Sequence, residues 1–139
     1  MTVLILEDDQ SNLDIFSSVL ASHGFKILRA KNENEAIDLS QQHSEIDLLV
    51  CDVAVGSSSG TEIALRLCTL SPGMPVLFVS GTPMYGWQTR DLSNFLKLPV
   101  DSVASLEKLF RPVALVAKVD ELLAKRAQRP RGRTAGDTI

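Results

Sequence analysis

The 139-residue chain has the length of one ordinary domain, and its 45% hydrophobic and 22% charged residues exclude wholesale disorder and fibrous classes. No apolar stretch reaches the ~18 residues a membrane span needs, and no basic segment leads into an apolar run as in a secretory signal. The net charge of −3 is uneven: residues 125–139 carry Lys125, Arg126, Arg129, Arg131 and Arg133 against Asp137 alone, so the rest of the chain is an acidic body, unsuited to a nucleic-acid groove.

Val3-Leu4-Ile5-Leu6 is a short apolar run, as in a strand buried on both faces. Leu13, Phe16 and Leu20 then repeat at helical spacing, and Gly24 stops that helix. Phe25 to Ala30 reads as a second strand. Asn32 with Glu35 has capping-box spacing ahead of a helix through Ala36, Ile37 and Leu39. Asp47 to Asp52 is a third strand. Ser59 with Glu62 opens another helix, which runs through Leu70.

Pro75 to Val79 is a fourth buried strand, with proline at its first position, where it is tolerated. Gly81, Pro83, Gly86 and Pro99 break the following segment, leaving Trp87 to Leu98 as its helical part. Val103 to Leu106 is a weak fifth strand. Pro112 suits a helix N1 position, and Leu115, Val119 and Leu122 supply a last buried stripe.

Strands alternating with helices predict an α/β fold: a five-stranded parallel sheet with helices on both faces, in one domain over residues 1–124. Residues 125–139, rich in Arg, Pro and Gly, read as a basic, disordered tail. Cys51 and Cys68 lie in apolar surroundings without zinc-site spacing and read as reduced core residues of a cytoplasmic protein. His23 and His43 fall near helix ends and read as solvated C-terminal residues.

In such sheets ligands bind at the carboxyl ends of the strands. There this chain places Glu7-Asp8-Asp9, Asp52, Ser80 and, just past the fifth strand, Lys108. Like charges ~5 Å apart at an effective dielectric of ~20 cost about 3 kcal/mol per pair. A proton or a cation relieves that cost, and oxygen donors without His or thiolate favour Mg²⁺, Mn²⁺ or Ca²⁺ over zinc. A divalent ion beside a carboxylate, a hydroxyl and a lysine makes a phosphoryl pocket. Each residue alone has a plainer reading: Asp9 as an N-cap, Lys108 as a surface lysine, Ser80-Gly81-Thr82-Pro83 as a turn. Their joint placement at successive strand ends is what points to chemistry.

Over residues 2–124 the chain resembles the receiver domain of two-component response regulators. The resemblance is carried in order by Val-Leu-Ile-Leu-Glu7-Asp8-Asp9, Leu-Leu-Val-Cys-Asp52 with Gly60 beyond it, Val-Leu-Phe-Val-Ser80-Gly81, and Leu106-Glu-Lys108-Leu-Phe110-Arg-Pro112. It implies the flavodoxin-like, doubly wound fold of chemotaxis regulators, strand order 2-1-3-4-5. It implies Asp52 as phosphoacceptor, and Glu7, Asp8, Asp52 and the backbone carbonyl of Ala54 as Mg²⁺ ligands, with Mn²⁺ a substitute. Ser80 would hydrogen-bond the phosphoryl group and move toward it, and Lys108 would pair with a phosphoryl oxygen.

The implied partners are a sensor histidine kinase or histidine phosphotransfer protein as donor, an unknown output protein, and a second copy of the chain through the face that relatives use for dimerisation. Nucleic acid is not expected to bind this chain alone, and no membrane span is expected. A domain of this kind is expected to be no enzyme beyond its own phosphoryl transfer and hydrolysis. A start at Met1 that runs straight into the first strand is expected of a stand-alone protein.

The chain departs from the family pattern in several places. Leu109 replaces the proline after the lysine, whose bond is typically cis in the family; a trans bond and a repositioned Lys108 are expected here. Ser105 replaces the switch aromatic, leaving Tyr85, Trp87 and Phe110 as packing aromatics or substitutes. Gly56 replaces a proline and predicts a looser loop. Ala54 offers no polar side chain to place a hydrolytic water, so slow to moderate loss of phosphate is expected. The segment 81–101 is longer than usual.

Two other readings compete. Gly56-Ser57-Ser58-Ser59-Gly60 fits the G-x-S-x-G elbow of α/β-hydrolases, but that triad needs a His downstream, and both histidines lie upstream. The stronger competitor is a pseudo-receiver, an interaction module that takes no phosphate.

Overall fold

The computed structural model describes residues 1–128. The elements, in order, are β1 (Thr2–Leu6), α1 (Gln10–Ser22), β2 (Lys26–Ala30), α2 (Glu33–Gln42), β3 (Leu48–Asp52), β4 (Ala54–Val55), β5 (Ser58–Ser59), α3 (Gly60–Leu70), β6 (Val76–Ser80), α4 (Thr89–Leu96), β7 (Val103–Glu107) and α5 (Pro112–Arg126). Five strands form one sheet in the order β2-β1-β3-β6-β7, every pairing parallel. Counting only these strands gives the expected 2-1-3-4-5 order of the flavodoxin-like fold.

The central strands are apolar runs because both their faces are covered. Alternate residues point to opposite sides. Val3, Ile5, Val50, Leu77 and Val79 join Leu13, Phe16 and Leu20 of α1 and Leu115, Val119 and Leu122 of α5 in one core. Leu4, Leu6, Leu49, Cys51 and Phe78 join Ala36 of α2, Ile63, Ala64 and Leu67 of α3, and Trp87 in the other. Trp87 meets Phe78 and Phe95 edge-on, with ring centroids 6.1 and 6.0 Å apart. Phe110 stacks on Phe16, while Tyr85 is exposed. The chain's aromatics near the segment 81–101 are therefore packing residues, apart from the free Tyr85.

Local signals set the helix ends. Asp9 caps α1 by accepting from the Ser11 amide, Asn32 caps α2 through the Glu35 amide, and Ser59 caps α3 through the Glu62 amide. His23 and His43 are the C-cap residues of α1 and α2. Both thiols are free; burial pushes Cys51 well up and Cys68 up to about 11. Among the described residues no helix is long and apolar enough to cross a membrane.

Three boundaries differ from the sequence expectation. α4 is shorter than Trp87–Leu98, because Trp87 and Gln88 are extended and only then does the helix begin. α5 continues through Lys125 and Arg126, two residues into the expected tail, and Arg126 Nη1 donates to the Asp47 carbonyl at 2.8 Å. The remainder of that tail, from residue 129, lies outside the described residues. The third difference is the hairpin of β4 and β5, where a loose loop was expected. Gly56, at φ +61°, makes its turn. Gly60 then passes so close to β3 that a Cβ there would lie 1.7 Å from the Asp52 carbonyl oxygen. Replacing Gly60 with Ala collides with backbone and is expected to destabilise the domain by about 3 kcal/mol, seen as a lower urea midpoint with unchanged slope.

Candidate phosphoryl and metal site

β1, β3 and β6 end at one rim of the sheet, and each delivers a polar group there. Glu7 follows β1 and its amide bonds the Ala30 carbonyl, which fixes it at the rim. Its side chain is 1% exposed. Asp52, the last residue of β3, is 7% exposed, and Ser80 at the end of β6 is buried beside it on the neighbouring strand. Asp8 is exposed at the mouth. Single carboxylate oxygens of Glu7, Asp8 and Asp52 all lie within 4.8 Å of one another.

Lys108 enters from the turn after β7. Its amide donates to the Ser80 carbonyl at 2.6 Å, and its Nζ donates to Asp52 Oδ2 at 2.6 Å and lies 3.3 Å from Glu7 Oε2. All peptide bonds among the described residues are trans, as expected for Lys108-Leu109, yet the lysine is not displaced from the pocket. The backbone turns instead at Leu109, which takes a left-handed φ of +56°. A side chain in that region costs about 1 kcal/mol. Leu109 itself is fully exposed.

The electrostatics follow from three acids facing one ammonium. Burial first, then the proton that a neutral Glu7 can share with the neighbouring Asp52 carboxylate, and that carboxylate's charge, push the Glu7 carboxyl from 4.5 up to about 7. Burial works against the charge on Lys108, but Asp52 and Glu7 outweigh it and hold its pKa above the ordinary lysine value. Glu7 Oε2 is buried and makes no hydrogen bond, though the Lys108 ammonium lies 3.3 Å from it. Clustered hard oxygens, one of them buried and unsatisfied, fit a small divalent cation such as Mg²⁺.

The hairpin supplies backbone donors that sequence reasoning missed. The Ala54 amide donates to Asp52 Oδ1 at 3.1 Å, and the Gly56 amide to Asp8 Oδ2 at 2.9 Å. The available signal, Gly56-Ser57 as a turn between Ala54-Val55 and Ser58-Ser59, is weak because only Val55 favours a strand. Ser80 makes no bond to Asp52. Its Oγ accepts from the Thr82 amide at 3.0 Å, which leaves its own proton free to donate. Ser105 leaves a cavity of about 140 Å³ beside Ser80, Thr82, Met84 and Trp87. The structure thus brings Glu7, Asp8, Asp52 and Lys108 together, with Ser80 at the rim and Ala54 against Asp52.

Comparison with known proteins agrees with the fold. The family model described as the response regulator receiver domain matches residues 3–120. The polar-differentiation response regulator DivK of Brucella anthropi is 30% identical over 91 residues, covering 64% of this chain and 73% of that protein. The transcriptional regulatory protein CreB of Escherichia coli K12 is 26% identical over 124 residues, 89% of this chain and 51% of CreB, so the chain spans about half of that relative. The crystal structure of a response regulator receiver protein from Sinorhizobium medicae WSM419 superposes with a TM-score of 0.76 at 28% identity, covering 91% of this chain and 96% of that one.

The raised Glu7 pKa fixes a pH dependence. Its proton is held more tightly in the folded state than in the unfolded one, so this group's stabilisation is complete below pH 4.5 and is lost as pH rises through about 7. In chelator, the melting temperature is expected to fall across that window, and Glu7→Gln to flatten the slope. Mg²⁺ competes with the same proton, so its affinity measured by calorimetry is expected to weaken below about pH 7.

Proposed function

The chain belongs to the response regulator receiver family of two-component signalling, and within it we propose that Asp52 accepts a phosphoryl group from a phosphohistidine with Mg²⁺ at Glu7, Asp8 and Asp52. The observation that carries this reading is the Lys108 Nζ contact with Asp52 Oδ2 at 2.6 Å inside a cluster of three carboxylates. A lysine held there neutralises the acceptor carboxylate before reaction and remains within reach of the oxygens that arrive on it.

An Asp52 carboxylate oxygen attacks the phosphorus. The O–P bond forms, the P–N bond to the donor imidazole breaks, and its electron pair returns to the ring nitrogen. The Ala54 amide holds Oδ1 so that the carboxylate plane is fixed during attack. A divalent cation held by Glu7, Asp8 and Asp52 would supply charge neutralisation for the phosphoryl oxygens. Lys108 Nζ transfers its hydrogen bond from Asp52 Oδ2 to a phosphoryl oxygen, and the free proton of Ser80 Oγ donates to another. The Ala54 carbonyl serves as a further ligand in this reading. The signal then passes to another protein of the cytoplasm.

The donor's landing surface is read from the groove next to the pocket. Asn12, Ile15 and Phe16 of α1 and Leu109 and Phe110 after β7 line about 210 Å³ that shares Lys108 with the phosphoryl site. Ile15 and Leu109 are exposed there. A protein delivering its phosphohistidine to Asp52 passes over this apolar rim, whereas a small donor does not need it.

Incubation with Mg²⁺ and acetyl phosphate tests the reading by intact mass. Wild-type protein is expected to gain one phosphate and Asp52→Asn none; absence of any gain with every donor identifies a pseudo-receiver. Leu109→Asp is expected to slow transfer from a phosphohistidine protein about tenfold, through loss of apolar contact, while phosphorylation by acetyl phosphate stays unchanged. Equal slowing with both donors places Leu109 in the chemistry, not the docking.

A further inference from the structure

α4 joins the domain through a buried polar network. Asp91 is 5% exposed, and its Oδ1 accepts from Ser59 Oγ and from Thr61 Oγ1, each at 2.7 Å. Asn94 Nδ2 donates to Thr61 Oγ1 at 3.1 Å, and Lys97 Nζ donates to Asn94 Oδ1 at 3.3 Å. Arg90 Nε lies 3.4 Å from Asp91 Oδ1. Burial opposes the Asp91 charge, but the donors from Thr61, Ser59 and Arg90 outweigh it and hold its carboxyl below the usual range. A buried carboxylate is tolerated only when donors satisfy it, so these contacts act as one unit.

What the network grips is the hairpin beside the phosphoacceptor. Ser59 stands opposite Ala54 in the β4–β5 pair, and the Ala54 amide donates to Asp52 Oδ1. The Gly60 amide bonds the Val53 carbonyl across its neck at 2.7 Å, and the hairpin is further anchored by the buried Val55 side chain in the core and by the Gly56 amide to Asp8 Oδ2 at 2.9 Å. The last of these uses an oxygen of a carboxylate that belongs to the metal cluster. A cation on Asp8 would compete with the Gly56 amide, and the hairpin would then lean more on the Val55 packing and on the Ser59–Asp91 bond to stay against Asp52.

We propose that Asp91 is a positioning residue for the phosphoryl site: through Ser59 it fixes the hairpin that presents Ala54 to Asp52 and to the cation. The inference rests on the reading of the carboxylate cluster as a Mg²⁺ site. Coupling of this kind is reciprocal, so occupancy of the pocket also firms α4. α4 is thereby tied to the state of Asp52 by side chains outside the family's recognisable motifs in this sequence.

Full-length wild type, Asp91→Ala, Asp91→Asn and Ser59→Ala test it, with Mg²⁺ alone titrated by calorimetry and amide exchange followed in α4. Asp91→Ala is expected to bind Mg²⁺ about tenfold more weakly at a temperature where circular dichroism shows it folded. Asp91→Asn keeps an acceptor oxygen and is expected to stay within about twofold of wild type. Mg²⁺ with beryllofluoride is expected to slow α4 exchange in wild type but not in Asp91→Ala.

If Asp91→Ala fails to fold, Ser59→Ala carries the test, with Mg²⁺ affinity expected to fall several-fold. Unchanged Mg²⁺ affinity in a folded variant, or α4 exchange in wild type indifferent to occupancy, overturns the proposal. Wild type that binds Mg²⁺ but gains no phosphate refutes the phosphoacceptor reading and leaves this one standing on the titration. Wild type that takes up no Mg²⁺ ends both.

Discussion

Three carboxylates crowded at one rim, with a single ammonium among them, are the constraint around which this domain is arranged. Glu7 is almost wholly buried and Asp52 nearly so, so neither can shed its charge into water. Lys108 reaches both, and Glu7 still retains an oxygen without a hydrogen-bond partner. A pocket left in this condition is poised to accept positive charge or a proton, and the elevated Glu7 pKa is the mark of that condition.

The fold serves the pocket by rigid presentation. Parallel pairing from β2 to β7 brings the ends of β1, β3 and β6 to one rim, and two apolar layers keep the strands from shifting. The part of the arrangement held by side-chain and backbone ties, and not by the sheet, is the hairpin between β3 and α3. Its backbone amides reach Asp52 and Asp8, and Asp91 on α4 grips it from behind. Electrostatic demand at the rim is thus met by rigid strands on one side and by a short hairpin with polar ties on the other.

The departures from the family pattern acquire physical meaning in this setting. With Leu109 in place of proline, the chain turns through a left-handed residue and the lysine still reaches its acceptor. With Ser105 in place of an aromatic ring, the space beside Ser80 is a cavity, and Trp87 instead holds the Thr82 carbonyl through its indole Nε1 at 3.1 Å. The loop expected to loosen at Gly56 is a tied hairpin, because glycine there serves a turn and the amide finds Asp8.

The order of the five sheet strands and of the helices, the caps at Asp9, Asn32 and Ser59, and the placing of Glu7, Asp8, Asp52, Ser80 and Lys108 at strand ends were legible in the sequence, whereas the β4–β5 hairpin was not. Those signals are local: apolar runs, capping spacings, and acids placed where a strand must end. The pairing of Lys108 with Asp52 despite Leu109, the passage of Gly60 against the Asp52 carbonyl, and the meeting of Asp91 with Ser59 and Thr61 came from the packed fold alone. Each of these depends on distances between segments far apart in the chain. In the sequence, Asp91 reads as an ordinary acid in the first turn of a helix; its burial exists only after α3 and α4 have packed.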